Sequence, residues 1–278
     1  MKDNQNRKVW LVTGASRGLG QEISRAVTTG GDLVVRAMRS PVPNDDDDHQ
    51  MTVQLDVTDE RSVREAVEAA EQRFGRIDVL VNNAGYGLIG GIEEVNAQEA
   101  RSLFATNVEG MLNVLRAALP GMRKRRSGNI VNISSLGGFS ASAGWGVYNA
   151  TKFAVEGLSE ALALEVAPLG IAVTIVEPGY FRTDFLTNSS LGRAERIIGD
   201  YHESMSGLSN RMVQLSGKQS GDPVLAAKAI VDTIHSGNAP VRLALGSDAF
   251  DRIAAKLDSM RQNLQQWESL TRSTSFKV

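Results

Sequence analysis

The chain has 278 residues, 42% hydrophobic and 22% charged, a balance normal for a soluble globular protein with material for a buried core. A net charge of -2 gives no general attraction to nucleic acid or an anionic membrane, and the lack of cysteine excludes disulfides, thiolate chemistry and cysteine-ligated zinc. No apolar run approaches the roughly 18–20 residues of a membrane span, the first residues hold no signal-peptide core, and His49, His202 and His235 lie far apart without metal-ligand spacing, so the expectation is a cytoplasmic protein with no metal site and no nucleic-acid or membrane partner.

Short β-branched runs alternate with helical patterns. "KVWLVTG" (8–14) reads as a buried strand, with a helix over 19–29, and "DLVVRAM" (32–38) as a second strand. Residues 40–50, with two prolines and four aspartates, are too short and broken for a helix of about 11 residues, which predicts a loop with its Asp run turned to solvent. "MTVQLDV" (51–57) is a third strand, followed by "TDERSVREAVEAAEQRFG", a helix with Asp59 and Glu60 early, where the dipole favours acids. "IDVLVNNAG" (77–85) is a fourth strand, and a long helical region then runs to about Arg126; its closing "RKRR" suits the negative end of the dipole, and Gly128 is expected to stop it. "GNIVNISS" (128–135) is a fifth strand, 148–168 a helix, "IAVTIVEPG" (171–179) a sixth strand, "PVLAAKAIVDTIHS" a helix, and "PVRLALGS" (240–247) a seventh strand. In the last helix, about 248–270, Leu257, Met260, Leu264, Trp267 and Leu270 recur at helical spacing and are expected to pack against the domain; a contribution to a dimer or tetramer is the sharper alternative. The alternation predicts an α/β fold, a parallel sheet with helices on both faces, and the nearly continuous apolar strands fit burial on both sides. No internal repeat or linker divides the chain, so one domain spans 1–278.

"LVTGASRGLG" joins the first strand to the first helix, with Gly14, Gly18 and Gly20 spaced as TGxxxGxG. Glycine permits a tight turn and close approach of a ligand, and the N–H groups at the helix start, around Ser16, Arg17 and Leu19, would face a phosphate. Further on stand "NNAG" (82–85) and a YxxxK pair, Tyr148 and Lys152. The three motifs, in this order and at these separations, resemble the short-chain dehydrogenase/reductase family over about residues 8 to 185. The resemblance implies a single Rossmann-type domain with a seven-stranded parallel sheet, and hydride transfer between a carbonyl or alcohol and a nicotinamide cofactor.

An acid after the second strand holds the ribose of NAD, whereas arginine accommodates the 2′-phosphate of NADP. Here Met38 and Arg39 stand at that tip and Arg17 lies within reach, two guanidiniums suited to a phosphate, so NADP is expected rather than NAD. By resemblance, Asp56 and Val57 match an adenine-binding pair, Asn83, Ala84 and Gly85 line the adenosine side, Pro178 and Gly179 pack near the nicotinamide, and Thr183 bonds its carboxamide.

Carbonyl reduction needs a proton donor, and a nearby cation lowers the pKa of a tyrosine, which is about 10 when free. Lys152, one turn beyond Tyr148 on the same helical face, can supply that charge. The family serine lies thirteen residues before the tyrosine, which selects Ser135 over Ser134. Asn107, in "ATNVEG", matches the fourth family member; asparagine is unfavourable inside a helix, and a local kink holding a water in a proton relay would explain it.

Substrate choice is assigned to 184–221, expected to form one or two short mobile helices as a lid, with Leu136, Phe139, Trp145, Tyr180, Phe185 and Leu186 as pocket residues for a medium-sized apolar carbonyl or secondary alcohol. "VEPG" and "GSDA" give a likeness to the 17β-hydroxysteroid dehydrogenase branch. The family likeness also implies a homodimer or homotetramer assembled through the helices near 100–125 and 148–168. Two other functions fit the fold: a non-catalytic NADP sensor or scaffold, which would not need all four of Asn107, Ser135, Tyr148 and Lys152, and an epimerase or dehydratase, whose relatives carry a larger substrate domain.

Overall fold

The computed structural model describes residues 7–41, 46–187, 190–201, 203, 205, 212 and 214–276. In chain order its strands are β1 (Val9–Thr13), β2 (Leu33–Met38), β3 (Gln50–Gln54), β4 (Val79–Asn82), β5 (Gly87–Ile89), β6 (Gly128–Ile133), β7 (Ile171–Pro178), β8 (Leu191–Arg193) and β9 (Arg242–Leu245). Seven form one parallel sheet in the order β3-β2-β1-β4-β6-β7-β9. The fold is a single Rossmann-like α/β domain, as the alternation predicts. The short strands β5 and β8 pair in parallel in a second sheet that the sequence pattern does not announce.

Central strand β1 shows why both faces are covered. Trp10 lies opposite Val34 of β2 and Val79 of β4. The period-two alternation of a strand sends Val9 and Leu11 into one core and Trp10 and Val12 into the other. Helices α2 (Glu60–Phe74), α4 (Gly110–Arg125) and α5 (Gly146–Val166) close the first core; α1 (Gly18–Thr29) and α6 (Pro223–His235) close the second. Each fully buried Val, Leu or Ile contributes about 1.5–3 kcal/mol. Trp10 buries its indole while its Nε1–H donates to Asp32 Oδ2 at 2.8 Å, so its polar atom is satisfied inside.

The helix ends follow local chemistry. Asp59 caps α2 by accepting from the N–H groups of Arg61 and Ser62, and Gly75 ends it at φ 80. Asn96 and Glu99 form a capping box on α3 (Ala97–Phe104). A π-turn over Ala105–Glu109 joins α3 to α4. The stop after α4 is Arg126, in the left-handed region at φ 52, rather than Gly128, which instead opens β6.

Described residues of the 40–50 segment are non-helical up to β3, as expected. Asp45 lies outside the described residues; Asp46 to Asp48 are exposed, and Asp47 Oδ1 accepts the N–H groups of His49 and Gln50. In the 184–221 segment, helices alone do not describe the chain, because β8 pairs with β5; residues 188–189, 202, 204, 206–211 and 213 of that segment lie outside the described residues. At the C-terminus come α7 (Ser247–Gln266) and α8 (Glu268–Ser273). The five apolar residues expected to pack against the domain do not: Leu257, Met260, Leu264, Trp267 and Leu270 are all more than half exposed. Among the described residues no helix is long and apolar enough to cross a membrane.

Candidate active site

A cleft of about 820 Å³ opens at the carboxyl ends of the central strands, where a doubly wound sheet binds ligands. One side is the glycine loop. Gly14 and Gly18 take φ values of 66 and 57, which side-chain-bearing residues rarely adopt. The loop is clamped from β4: Asn83 Nδ2 donates to Thr13 O and Gly14 O at 3.0 and 3.1 Å, and the N–H groups of Asn83 and Ala84 both donate to Thr13 Oγ1. Asn83, Ala84 and Gly85 therefore line the cleft as expected, but the Asn83 amide is spent on holding the loop. Gly14, Ser16, Arg17, Gly18 and Leu19 line the cleft; Gly20 does not, because it is buried under Gly14 O and the Asn83 amide.

At the tip of β2, Met38 and exposed Arg39 reach the same cleft as Arg17. Asp56 and Val57 line it after β3. Hydrogen bonds from Thr58, then the charge of Arg39, hold the Asp56 carboxyl below its usual range against the opposing effect of burial. Pro178, Gly179 and Thr183 line the far side, with Thr183 beside Gly18. Gly179 must lack a side chain, since the Asp248 carboxylate occupies that space and accepts the Tyr180 N–H at 2.8 Å.

Ser135, Tyr148 and Lys152 meet at the floor. Tyr148 and Lys152 share the buried face of α5, with Lys152 Nζ 6.0 Å from the Tyr148 ring centre and donating to Ile133 O at 2.9 Å. Ser135 caps a short turn, accepting the Gly137 N–H at 3.0 Å. Burial pushes the Tyr148 hydroxyl up to about 12, with a hydrogen bond from Ser135 pulling the other way, and the expected lowering by Lys152 is not the dominant effect. Burial likewise brings Lys152 down to about 8, opposed by the charge of Glu156.

Asn107 lies in the π-turn, the kink expected of it. Its amide accepts the Tyr86 N–H and donates to Tyr86 O, both at 3.0 Å, and donates to Thr151 Oγ1 at 3.1 Å. It stands behind the cleft, where a cavity of about 10 Å³ shared with Lys152 is near the size of one water-sized sphere.

The apolar wall comes from several elements. Trp145 packs edge-on against Tyr148 at 5.4 Å between centroids, and Phe185 lies 5.9 Å from Tyr148. Leu136, Tyr180 and Leu186 also line the cleft. Phe139 is a correction: it does not line the cleft, and its ring sits 5.7 Å from the Arg242 guanidinium.

The family model described as short chain dehydrogenase matches residues 8–194, more than half of the chain. The chain belongs to the short-chain dehydrogenase family. This short-chain dehydrogenase is an oxidoreductase-type enzyme, as its relatives are. The 3-ketodihydrosphingosine reductase of Bacteroides thetaiotaomicron is 38% identical, over 86% of this chain and 88% of that protein. A solved short-chain dehydrogenase from Streptomyces avermitilis is 44% identical with a TM-score of 0.90, covering 98% of this chain and 100% of that one. ElxO, solved with NADP bound, is 28% identical with a TM-score of 0.72, covering 88% and 99%; other solved neighbours are described with NADH or NAD.

Sequence reasoning passes over several lining residues of this short-chain dehydrogenase. Tyr86 directly follows "NNAG" and could have been found by that position. Leu191 enters through the β5–β8 pairing, and Arg252 arrives from α7 with no local signal. Arg252 fixes the loop between β6 and α5, donating to Ser140 O and Ala141 O at 3.0 Å each and to Ser142 Oγ.

Proposed function

We propose that this short-chain dehydrogenase interconverts a medium-sized apolar ketone or aldehyde with its alcohol, using NADP(H). The observation that carries this reading is the convergence of Ser135, Tyr148 and Lys152 on the floor of a cleft whose other walls are a glycine cradle and an aromatic cluster.

The residues fit the cofactor. The positive-φ glycines leave backbone open to a pyrophosphate, and Arg17 with Arg39, without a carboxylate at the β2 tip, suits the 2′-phosphate of NADP over the ribose of NAD. Asp56 and Val57 would border the adenine, Gly85 the adenosine, and Pro178, Gly179 and Thr183 the nicotinamide. Bound NADPH would supply the hydride. Ser135 then holds the substrate oxygen, and Tyr148, whose high pKa keeps it protonated at neutral pH, gives that oxygen its proton. Lys152, still charged at neutral pH, stabilises the phenolate that remains, and Asn107 holds the wall behind it, beside space for a relaying water.

Leu136, Trp145, Tyr180, Phe185 and Leu186 bound the substrate, and 184–221 serves as its lid. The likeness to the 17β-hydroxysteroid dehydrogenase branch, and the ketone in the name of the Bacteroides relative, agree with an apolar ketone. A cytoplasmic homodimer or homotetramer, joined through α4 and α5 where Phe153 and Leu164 are exposed, completes the reading.

The test is a panel of ketones and alcohols with NADPH and NADH, followed at the nicotinamide absorbance. Turnover with NADPH preferred, abolished in Tyr148→Phe while NADPH binding persists, supports the reading. Preference for NADH removes the cofactor assignment. Activity retained in Tyr148→Phe, or product without net cofactor change, removes the mechanism.

A further inference from the structure

Among the described residues, the root of α7 is fastened to the domain and the rest is not. Ala249 is fully buried, Asp248 accepts the Tyr180 N–H, and Arg252 binds the 140–142 loop. From Ala255 to Phe276 every described residue is exposed. Most helical stability in proteins comes from packing of an apolar face, yet this helix carries such a face with nothing among the described residues covering it.

The face has a specific period. Phe250, Ile253, Leu257, Met260, Leu264 and Trp267 recur at alternating intervals of three and four, which is the 3.5-residue repeat of a helix-to-helix seam. A helix packed on a globular core presents a broader stripe near 3.6. The opposite face, at Ala255, Gln262 and Ser269, carries no large apolar side chain. Phe250, Leu257, Met260, Leu264, Trp267 and Leu270 are between 51% and 68% exposed. Side chains of this size present on the order of 700 Å² per chain, close to the ~800 Å² that each partner contributes to a standard interface.

The charge pattern separates two occupants. Over 247–276 the acids Asp248, Asp251, Asp258 and Glu268 balance the bases Arg252, Lys256, Arg261 and Arg272. A neutral helix has no pull toward an anionic lipid surface, which selects helices with a basic polar face. We propose that α7 and α8 pair with the same helices of a second copy of this chain, along the Phe250–Trp267 seam. This contact is separate from the α4–α5 contact and independent of which substrate the cleft takes.

The experiment is the mass of the full-length protein by sedimentation equilibrium, in the wild type, in the seam variant Leu257→Asp/Leu264→Asp, and in the outward variant Ala255→Asp/Gln262→Asp. All four positions are solvent-exposed in the single chain, so the domain should keep its Tm and turnover, and both are measured. The expected result is a twofold loss of mass in the seam variant alone, dimer to monomer or tetramer to dimer. A monomeric wild type, or equal mass in all three proteins, overturns the proposal. So does wild-type co-sedimentation with phosphatidylserine vesicles that the seam variant loses.

Discussion

Gly18 and Gly20 stand two places apart in one loop under different constraints. Gly18 sits at φ 57, but an added Cβ would find its nearest neighbour, Thr183 Cβ, at 3.6 Å; alanine there meets only left-handed strain of about 1–2 kcal/mol. Gly20 has ordinary helical backbone, yet an added Cβ would lie 2.5 Å from Gly14 O and against the Asn83 amide. Gly20→Ala should therefore break the clamp on the loop, lowering Tm more than Gly18→Ala and weakening NADPH binding, read by thermal melts and fluorescence titration. Equal effects of the two substitutions would contradict the clamp. The titration of Lys152 gives a second outcome at this scale. Below about pH 8 the ammonium is charged in both folded and unfolded chains, so burial opposes folding in full. Between about 8 and its ordinary 10.5 the folded chain has released the proton that the unfolded chain still holds, so stability rises with pH. The Tm of the wild type should gain on that of Lys152→Met from pH 8 toward 10. The comparison stops there because Tyr148, raised to about 12, acts in the opposite sense above 10. A gap that is flat over this range would mean that Lys152 is not desolvated.

At the scale of elements, the π-turn is where a helix gives up regularity to place an amide. Asn107 ties α3–α4 to the Tyr86 backbone after β4 and to Thr151 on α5. Asn107→Ala leaves the Tyr86 N–H and C=O and the Thr151 hydroxyl without that partner, at about 1–3 kcal/mol for each group that stays dry. The expected result is a lower Tm together with a fall in kcat larger than any change in the KM for NADPH; an unchanged kcat would reduce Asn107 to a structural tie. Much of this was legible in the sequence. The seven strands show because burial on both faces leaves runs such as "VWLVT" almost wholly apolar, and Tyr148 with Lys152 shows because one helical turn sets their spacing. Strands β5 and β8 do not show: three residues each carry no periodicity, and only their pairing defines them. Arg252 joins the cleft through the path of the whole chain. Phe139 departs from its expected place because an aromatic beside that loop can equally turn to an arginine, here Arg242. The stripe on α7 was legible as a pattern, but spacing alone does not say what covers it.

Across the whole molecule, one guanidinium joins three elements beneath the site. Arg242 on β9 contacts Glu177 on β7 at 2.6 Å, and on α5 it contacts Glu160 at 2.7 Å and Glu156. Glu156 and Glu177 are buried, and Glu156 lies one turn beyond Lys152, whose charge it supports. Burial by itself would lower the pKa of Arg242; the bond to Glu160 and the charges of Glu156 and Glu177 raise it instead, so the cation persists at any working pH. Glu156 is raised above the usual carboxylate range, first by burial and further by the Glu177 charge, with Arg242 opposing. Removing the cation should therefore leave two buried carboxylates facing each other. Arg242→Met is expected to lose about 3–5 kcal/mol, since breaking a buried pair strands the partner charge. Arg242→Lys should recover little, because a single ammonium lacks the planar fork that reaches three carboxylates. The pH dependence has a definite sign. A carboxyl whose folded pKa is raised disfavours folding once the pH exceeds that pKa, and the penalty fades as pH falls and the group takes a proton. The deficit of Arg242→Met against the wild type, measured by urea denaturation, should thus be largest near pH 7 and shrink toward pH 5. A deficit that stays constant with pH would mean that the loss comes from packing against Phe139, and that β7, β9 and α5 are not held together by charge.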